Sequence, residues 1–171
     1  MSPRMIKQDR STSEVDFRTP PDLFEALNAE FGVFTLDVAA SAENHLAPAY
    51  FTVEQNALEK VWVGKAWCNP PYNKIKPWVE KGIQELHDCN LDTITYLLPA
   101  SSCTRWFKML WEHEMCTNII FLSGRLSFQG PHVHPDMKKA AAPNPTVIFH
   151  LDRRKRIGTR HIELRKRDYF E

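Results

Sequence analysis

The sequence predicts an α/β domain, in which one sheet carries helices on both of its faces. Three observations indicate this fold class. Short apolar runs of strand length alternate with amphipathic stretches of helical period, the 171-residue length suits one domain, and polar residues follow several predicted strands. Ligands bind such sheets where the strands end, so the polar residues at those ends are the first candidates for a functional site.

The first helix is predicted from its two boundaries. Thr19 is expected at the N-cap, Pro20 at the first helical position and Asp22 close to the positive end of the helix dipole. Gly32 is expected to end the helix. Its inner face is formed by apolar residues at helical spacing, namely Leu23, Phe24, Leu27 and Phe31.

The remaining elements alternate between strands and helices. Strands are predicted at 33–38 (ending near Asp37), 61–68, 92–98, 117–122 and 146–151, and helices at 74–88 and 102–114. The expected inner faces of these two helices are Ile75, Trp78, Val79, Ile83 and Leu86, and Trp106, Phe107, Leu110 and Trp111.

The segments between these elements are less regular. Residues 39–60 begin as a polar turn and favour no single element, and 125–128 suit a short strand. Residues 129–145 contain four prolines and predict a long loop, a type of segment that often carries function. We expect 1–16 to form a flexible lead-in and 17–171 to form one domain.

Composition excludes several classes of protein. Hydrophobic residues make up 43% and charged residues 25%, as in an average soluble globular domain. A wholly disordered chain, a collagen-like fibre and a disulfide-dense miniprotein are therefore excluded. No apolar run approaches the ~20 residues of a membrane helix, and the polar N-terminus lacks the apolar stretch of a signal peptide. We therefore expect a cytoplasmic protein without membrane contact.

The cysteines and histidines predict no metal site. Cys68, Cys89, Cys103 and Cys116 contain no C-x-x-C pair, which favours free, packed thiols. His132 and His134 form a His-Val-His stretch, but no further ligand stands at metal-binding spacing.

Positive charge is concentrated near the C-terminus. The formal net charge of the chain is +1, yet the basic C-terminal segment, residues 151–171, holds eight Lys/Arg and four Asp/Glu. Such a segment can contact a polyanion, or it can be a solvated tail that aids solubility. Charge alone leaves both interpretations open.

The sharpest motif is Asn69-Pro70-Pro71-Tyr72, which follows the strand predicted at 61–68. Two prolines remove two backbone N–H groups and fix two φ angles, so the backbone is stiff and its carbonyls are available to a ligand. The side-chain oxygen of Asn69 and the next carbonyl can together accept two hydrogen bonds from one –NH2 group. Tyr72 can stack on a planar base. The alternative is a strand-ending turn with Tyr72 in the core.

This motif resembles the catalytic motif of amino methyltransferases that use S-adenosyl-L-methionine. Four further stretches follow the same family pattern in order: Thr19-Pro20-Pro21, Leu36–Ser41, Leu98–Ala100 and Gly124–Phe128. Together they make residues 17–151 resemble the phage-type DNA N6-adenine methyltransferase (Dam) family. The resemblance implies a Rossmann-like S-adenosylmethionine-dependent methyltransferase fold, a compact three-layer arrangement with helices on both faces of the sheet.

The resemblance also implies a reaction. A methyl group passes from S-adenosylmethionine to the N6 amine of adenine by direct displacement, in double-stranded DNA whose target base is flipped out. Asn69 and Pro70 would accept the two N–H bonds of the amine, Pro71 would stiffen the turn, and Tyr72 would stack on the base. Cys68 is not needed as a nucleophile and is interpreted as packing.

Cofactor contacts are implied by position in the family pattern. Asp37 is expected to face the methionine amino group, with a capping role as the alternative. Thr19 and Pro20 are expected at the methionine carboxylate, with a plain N-cap as the alternative. The stretch after Asp37 contains no glycine, unlike the first motif of larger enzymes, so the ribose and adenine contacts stay open. The candidates there are Ala39, Glu43, Glu54 and Asn56, with Asn56 preferred at the adenine end; each of the three polar ones can equally be an ordinary surface residue.

DNA contacts are expected from two regions. Lys138 and Lys139 lie in the long loop beside His132 and His134, and Arg153, Arg154 and Arg156 lie in the basic C-terminal segment. The target sequence and the oligomeric state, monomer or homodimer, stay open.

Two other functions also stay open. One is the same chemistry on cytosine N4 or a protein glutamine amide, and the other is a non-catalytic DNA-binding module of the same fold. The resemblance favours an enzyme encoded by a phage or prophage and acting in the bacterial host cytoplasm, either in evasion of host restriction or in regulation.

Overall fold

A computed structural model describes residues 18–124, 126–128, 140–141, 144–155 and 160–165. The described elements are three helices, α1 (Pro21–Phe31), α2 (Ile75–His87) and α3 (Arg105–Glu112), and nine strands, β1 (Leu36–Asp37), β2 (Ala49–Tyr50), β3 (Gly64–Cys68), β4 (Leu91–Pro99), β5 (Cys116–Leu122), β6 (Ser127–Phe128), β7 (Ala140–Ala141), β8 (Thr146–Asp152) and β9 (His161–Arg165). A 3-10 turn spans Ala57–Glu59. No helix in the described ranges is long and apolar enough to cross a membrane.

Seven strands form one mixed sheet in the order β2-β1-β3-β4-β8-β5-β9. All neighbours run parallel except β8, which is antiparallel to both β4 and β5. Strands β1, β3 and β4 therefore end at one side of the sheet, at Asp37, Cys68 and Pro99. We call this side the carboxyl edge. Strands β6 and β7 form a separate antiparallel pair.

Helices cover both faces of the sheet, as the sequence predicts. On one face, Leu23, Phe24 and Leu27 of α1 pack in a cluster with Trp67 and Leu97 of the sheet. On the other face, the apolar residues of α2 and α3 form a larger cluster with the alternate sheet residues, including Ile75, Val79, Leu86, Trp106, Phe107, Leu110, Cys68 and Tyr96. Since successive residues of a strand point to opposite faces, β3 contributes to both clusters. The three-layer α/β prediction is confirmed.

A close contact fixes α2 on the sheet. Gly82 lies over β4, where a Cβ atom would collide with the Tyr96 hydroxyl and come within 2.7 Å of the Ile94 side chain. The Tyr96 hydroxyl donates to the carbonyl of Trp78, one turn earlier on α2, at 3.2 Å. The absence of a side chain at Gly82 therefore allows this helix to approach β4.

Several predicted boundaries and faces need correction. Pro20, not Thr19, is the N-cap of α1, and Pro21 is its first residue, with no side-chain cap. Trp111 is 36% exposed, because it lies in the last turn of α3, where its ring is stacked on Phe107 but not covered by the sheet. Phe31 is partly buried and its ring stacks on His150 of β8 at a centroid distance of 4.0 Å.

Three strands lie in segments for which no strand was predicted. Strand β2 falls within 39–60, where no single element was favoured. Strand β7 falls within the predicted loop at 129–145, most of which lies outside the described residues. Strand β9 falls within the basic C-terminal segment and pairs in parallel with β5. Its apolar residues Ile162 and Leu164 are 51% and 72% exposed. Backbone pairing, not burial, holds this edge strand, so hydrophobic patterning predicts it poorly.

Arg160 attaches β9 to the rest of the fold. Its guanidinium donates to the carbonyl of Cys116 at 3.0 Å, to that of His113 at 3.0 Å and to that of Trp111. Arg160, one residue of the basic C-terminal segment, therefore has a structural role, because it bonds to backbone carbonyls of the neighbouring segment. The predicted lead-in at 1–16 lies outside the described residues.

Candidate active site

The turn Asn69–Tyr72 leaves the sheet at its carboxyl edge. Strand β3 lies between β1 and β4, so the turn begins near the middle of the parallel part of the sheet. Asn69 is half-buried, Pro70 is buried and Pro71 is exposed. Because Asn69 precedes a proline, its backbone is confined to the extended region, and the side chain starts from a fixed position.

The amide of Asn69 contacts the segment that precedes α1. Its Nδ2 atom donates to Thr19 Oγ1 at 3.2 Å. Thr19 is 6% exposed, and α1 starts two residues later with its N-terminus at this edge of the sheet. The structure therefore brings together two of the motifs that the sequence singles out.

Tyr72 links the motif to the sheet. Its hydroxyl donates to the carbonyl of Leu97 at 3.5 Å, and its ring packs against the clusters on both faces. Burial raises the pKa of this hydroxyl well above its ordinary value, so the group is neutral. Tyr72 keeps a partly exposed side chain at the motif. Its role as a stacking face for a base stays a prediction.

Asp37 is a buried carboxylate at the end of β1. It is 3% exposed and accepts hydrogen bonds from the backbone N–H groups of Ala39 at 3.3 Å and Leu46 at 3.2 Å. Burial raises the pKa of Asp37 to about 6, against the opposing effects of these two bonds and of nearby His45. No lysine or arginine in the described ranges forms an ion pair with it. Asp37 does not cap a helix, since a turn follows it.

An aromatic pair beside Asp37 was not predicted from the sequence. The rings of His45 and Tyr50 stack at a centroid distance of 4.1 Å and an angle of 9°. Tyr50 is the register partner of Asp37 across β1 and β2, and His45 Nδ1 lies 3.0 Å from the carbonyl oxygen of Ala47. No spacing rule joins His45 to Tyr50, because a turn and a short edge strand bring them together.

The remaining cofactor candidates lie in surface loops. Asn56 is exposed and has a φ of 49°, as the residue that precedes the 3-10 turn. Glu43 accepts a hydrogen bond from the Ser41 hydroxyl at 2.9 Å. The carboxylate of Glu54 accepts from the Thr52 side chain, which lowers the pKa of Glu54. Both glutamates are thus engaged locally, and the ribose and adenine contacts stay a prediction.

Two of the predicted DNA-binding arginines lie at the opposite edge of the sheet. Arg153 donates to Asp92 at 2.8 Å and to the carbonyl of Leu91 at 3.0 Å, and Arg154 donates to Asp92 at 3.0 Å. Residues 91 and 92 begin β4, whereas the motif follows the end of its parallel neighbour β3. This placement favours a structural role for Arg153. Lys138, Lys139 and Arg156 lie outside the described residues.

The four cysteines are free, but Cys89 and Cys103 are exposed, so the prediction of packed thiols is wrong for these two. Cys68 and Cys116 are buried, and burial raises the pKa of both thiols, so neither is a thiolate near neutral pH. Cys68 precedes the motif in the larger apolar cluster, which is the packing position predicted for it. Within the described part of the chain no group of three His, Cys, Asp or Glu residues could hold a metal ion.

Comparisons with known proteins agree on one family. A family model described as DNA N-6-adenine-methyltransferase (Dam) matches residues 8–167. The DNA N-6-adenine-methyltransferase of Haemophilus phage HP1 is 34% identical over 151 residues, covering 85% of this chain and 84% of the relative. That of Escherichia phage T1 is 33% identical over 126 residues, covering 64% of this chain but only 52% of the relative.

A solved structure supports the fold. A Pyrococcus horikoshii protein assigned as an RNA methyltransferase superposes with a TM-score of 0.54 at 13% identity, covering 81% of this chain and 87% of the other. At that identity the likeness concerns the fold alone. It shows that the arrangement described above, one sheet with helices on both faces, is also the fold of that methyltransferase.

Proposed function

Because the chain belongs to the DNA N-6-adenine-methyltransferase (Dam) family, we propose that it methylates the N6 amine of adenine in DNA. The family match spans residues 8–167, and the alignment with the phage HP1 relative spans most of both chains. The observation that carries the proposal is the position of Asn69 and Pro70. They follow a central strand at the carboxyl edge, beside the N-terminus of α1.

The motif suits an amine that reacts poorly. The lone pair of the adenine N6 is delocalised into the ring, so the nitrogen is a weak nucleophile. The Asn69 side-chain oxygen and the Pro70 carbonyl would accept its two N–H bonds and aim the lone pair at the methyl donor. Pro70 and Pro71 contribute no N–H group that could compete. Positioning of this kind can lower a barrier by ~7–11 kcal/mol.

Tyr72 supplies a face for the extruded base. The hydrogen bond of its hydroxyl to Leu97 fixes one end of the ring, and the residue is partly exposed. A base-flipping enzyme recovers part of the cost of unstacking by stacking the base on such a ring. The neutral hydroxyl places no charge near the developing positive charge on the amine.

The donor set around Asp37 and α1 fits S-adenosyl-L-methionine. A buried carboxylate with a pKa of about 6, with which no lysine or arginine of the described ranges pairs, suits the ammonium group of the cofactor. The N-terminus of α1, with Thr19 and Pro20, suits its carboxylate. When bound, this cofactor supplies a methyl group activated on a sulfonium sulfur. We assign Ala39 to the wall of the same site and Asn56 to the adenine end.

DNA would approach the carboxyl edge. Helices α2 and α3 both begin there, because each follows the end of a parallel strand. Exposed Lys74 and Arg105 lie at these two helix starts. Positive side chains and helix N-termini are the groups that bind backbone phosphates. Lys138 and Lys139, which lie outside the described residues, stay candidates in the same role, and the substrate is double-stranded DNA in the bacterial host cytoplasm.

A direct assay tests the proposal. Purified protein is incubated with S-adenosylmethionine and unmethylated phage DNA, and the digested nucleosides are quantified by mass spectrometry. N6-methyladenine is expected, at a level that depends on the cofactor. N4-methylcytosine in its place would move the reaction to the other –NH2 substrate. Cofactor binding without any modified base would point to an amine outside DNA, and DNA binding without cofactor binding would leave a non-catalytic module.

A further inference from the structure

Two proline turns face each other at the carboxyl edge. Thr19-Pro20-Pro21 precedes α1, and Asn69-Pro70-Pro71 follows β3. Thr19 and Asn69 each precede a proline, so both backbones are confined to extended conformations. Fifty positions apart in sequence, their side chains meet in the 3.2 Å hydrogen bond from Asn69 Nδ2 to Thr19 Oγ1. Stiff backbones on both sides make this contact well defined.

The Thr19 hydroxyl is not used to begin its own helix. Helix α1 has Pro20 as its N-cap and no side-chain cap. Thr104, by contrast, does cap α3 by accepting from the Phe107 N–H at 3.4 Å. Thr19 is nevertheless 6% exposed, so its hydroxyl is shielded from water and its contact with Asn69 is strengthened accordingly. The hydrogen bond from Asn69 is therefore the interaction that the buried Thr19 hydroxyl makes in place of a helix cap.

The direction of the Asn69 amide decides whether the motif works. An amide presents an acceptor at one end and a two-proton donor at the other, and its terminal torsion has two broad, nearly equivalent minima. Only the oxygen can accept an N–H bond of the substrate amine. The opposite orientation would place the –NH2 of Asn69 against it, with donor facing donor. A neighbouring acceptor that bonds to Asn69 Nδ2 therefore selects the orientation in which the amide oxygen faces the substrate amine.

Resting on the proposed function, we propose that Thr19 is a positioning residue that holds the Asn69 amide with its oxygen directed to the methyl-accepting amine. Thr19 Oγ1 accepts one Nδ2–H bond, and the hydroxyl keeps its own proton for another acceptor. The methyl-transfer step therefore depends on a hydroxyl that need not touch the substrate.

Single-turnover methylation at saturating cofactor and DNA tests this role, because saturation removes any effect of Thr19 on affinity. Thr19→Val keeps the shape and removes the hydroxyl, and we expect the transfer rate to fall about five- to tenfold, as for the loss of one hydrogen bond. Thr19→Ser should restore the rate to within about twofold. Thr35→Val is the matched control, since the Thr35 hydroxyl bonds to Lys65 at the opposite edge of the sheet.

A double-mutant cycle separates positioning from other roles. In Asn69→Asp the two outer atoms are both oxygens, so orientation no longer matters, and adding Thr19→Val should slow the residual reaction by less than about twofold. An equal loss in both backgrounds would overturn the proposal, as would a Thr19→Ser rate as low as that of Thr19→Val. If Asn69→Asp is too slow to measure, the Ser and Val comparison decides alone. An inactive wild-type protein would instead contradict the proposed function.

Discussion

The buried carboxylate of Asp37, which we propose binds the cofactor ammonium group, is expected to make cofactor binding depend on pH. With a pKa of about 6 it is ionised in neutral solution and protonated in mild acid. Only the ionised form attracts the cofactor ammonium group. We therefore expect the dissociation constant of S-adenosylmethionine to rise as the pH falls below about 6, by up to about tenfold per unit. Calorimetry between pH 5 and pH 8 would measure this dependence.

Asp37→Asn is the matching control for that titration. The amide keeps the size of the side chain and cannot ionise, so the variant should bind more weakly at neutral pH and lose the dependence near pH 6. A dependence that survives in the variant would show that Asp37 is not the group that titrates.

Asn69→Ala should separate chemistry from binding. Removing the amide removes an acceptor for the substrate amine, and we expect the turnover rate to fall about 10²- to 10³-fold, as when one group that stabilises a transition state is deleted. Cofactor affinity should change little, because Asn69 is assigned to the amine. Turnover and calorimetry on the same preparation give both quantities, and a loss of affinity equal to the loss of rate would contradict the assignment.

Sequence reasoning predicts some parts of this site better than others. Asn69 and Asp37 are placed at one edge because Asn69 follows a strand and Asp37 ends one, and strand ends meet at one edge of a parallel sheet. The bond between Thr19 and Asn69 is not found, since it depends on how α1 packs across fifty positions of chain. The stacking of His45 on Tyr50 is also missed, because it depends on a turn and a short edge strand that no local sequence pattern predicts.

Among the elements, α2 approaches the sheet through a glycine. A Cβ at Gly82 would collide with the Tyr96 hydroxyl, so Gly82→Ala should lower the free energy of unfolding by about 1–3 kcal/mol. Urea denaturation would measure it. Adding Tyr96→Phe removes the colliding oxygen, and the double variant should be more stable than the sum of the two single losses predicts. Simple additivity would show that the helix relaxes by another route.

Helices α2 and α3 direct their N-termini to the side where DNA would bind. We expect Lys74→Ala combined with Arg105→Ala to weaken DNA binding and to reduce its salt dependence by about two units of slope, one per lost phosphate contact. Arg154→Ala is the control, since this exposed arginine lies at the opposite edge beside Asp92. Binding measured at several salt concentrations distinguishes the two; an equal loss in the control would place the DNA elsewhere.

The predictability of an element depends on what holds it. The three helices and the interior strands bury regular apolar faces, so their periodicity predicts them to within a few residues. Strands β2 and β9 lie at the two edges of the sheet and leave most of their residues at least partly exposed. The charged context of β9 hides the short alternation of Ile162 and Leu164, and backbone pairing decides its position.

For the whole molecule, two buried groups have opposite effects on how the free energy of unfolding depends on pH. Burial raises the pKa of Asp37 to about 6 and lowers that of His150 to about 3. The folded state thus holds a proton on Asp37 more tightly than the unfolded chain does, so this stabilisation is present below about pH 4 and lost as the pH rises through 6. It holds a proton on His150 less tightly, so that stabilisation is present above about pH 6.5 and lost in acid.

These signs predict how two variants change acid stability. The ring of His150 stacks on Phe31 and its Nδ1 lies 2.7 Å from Thr95 Oγ1. Between about pH 4 and 6 unfolding adds one proton at His150 and releases one at Asp37, so the two effects should nearly cancel in the wild-type protein. His150→Asn should therefore gain stability as the pH falls from about 6 to about 4, and Asp37→Asn should lose it, because in each variant the opposing proton is gone. Urea midpoints across that range would test both, and parallel curves for all three proteins would contradict the argument.

Strand β8 lies between β4 and β5 in the sheet but is synthesised after both of them. Its residues, Thr146–Asp152, pair with β4 on one side and β5 on the other, although both partners precede it by more than twenty positions. During synthesis β4 and β5 therefore leave the ribosome with the slot between them still open. Each keeps a row of unsatisfied backbone groups until the seven residues of β8 arrive. The nascent chain is exposed to aggregation in that interval, after the Asn69–Tyr72 turn has been made and before the sheet is complete.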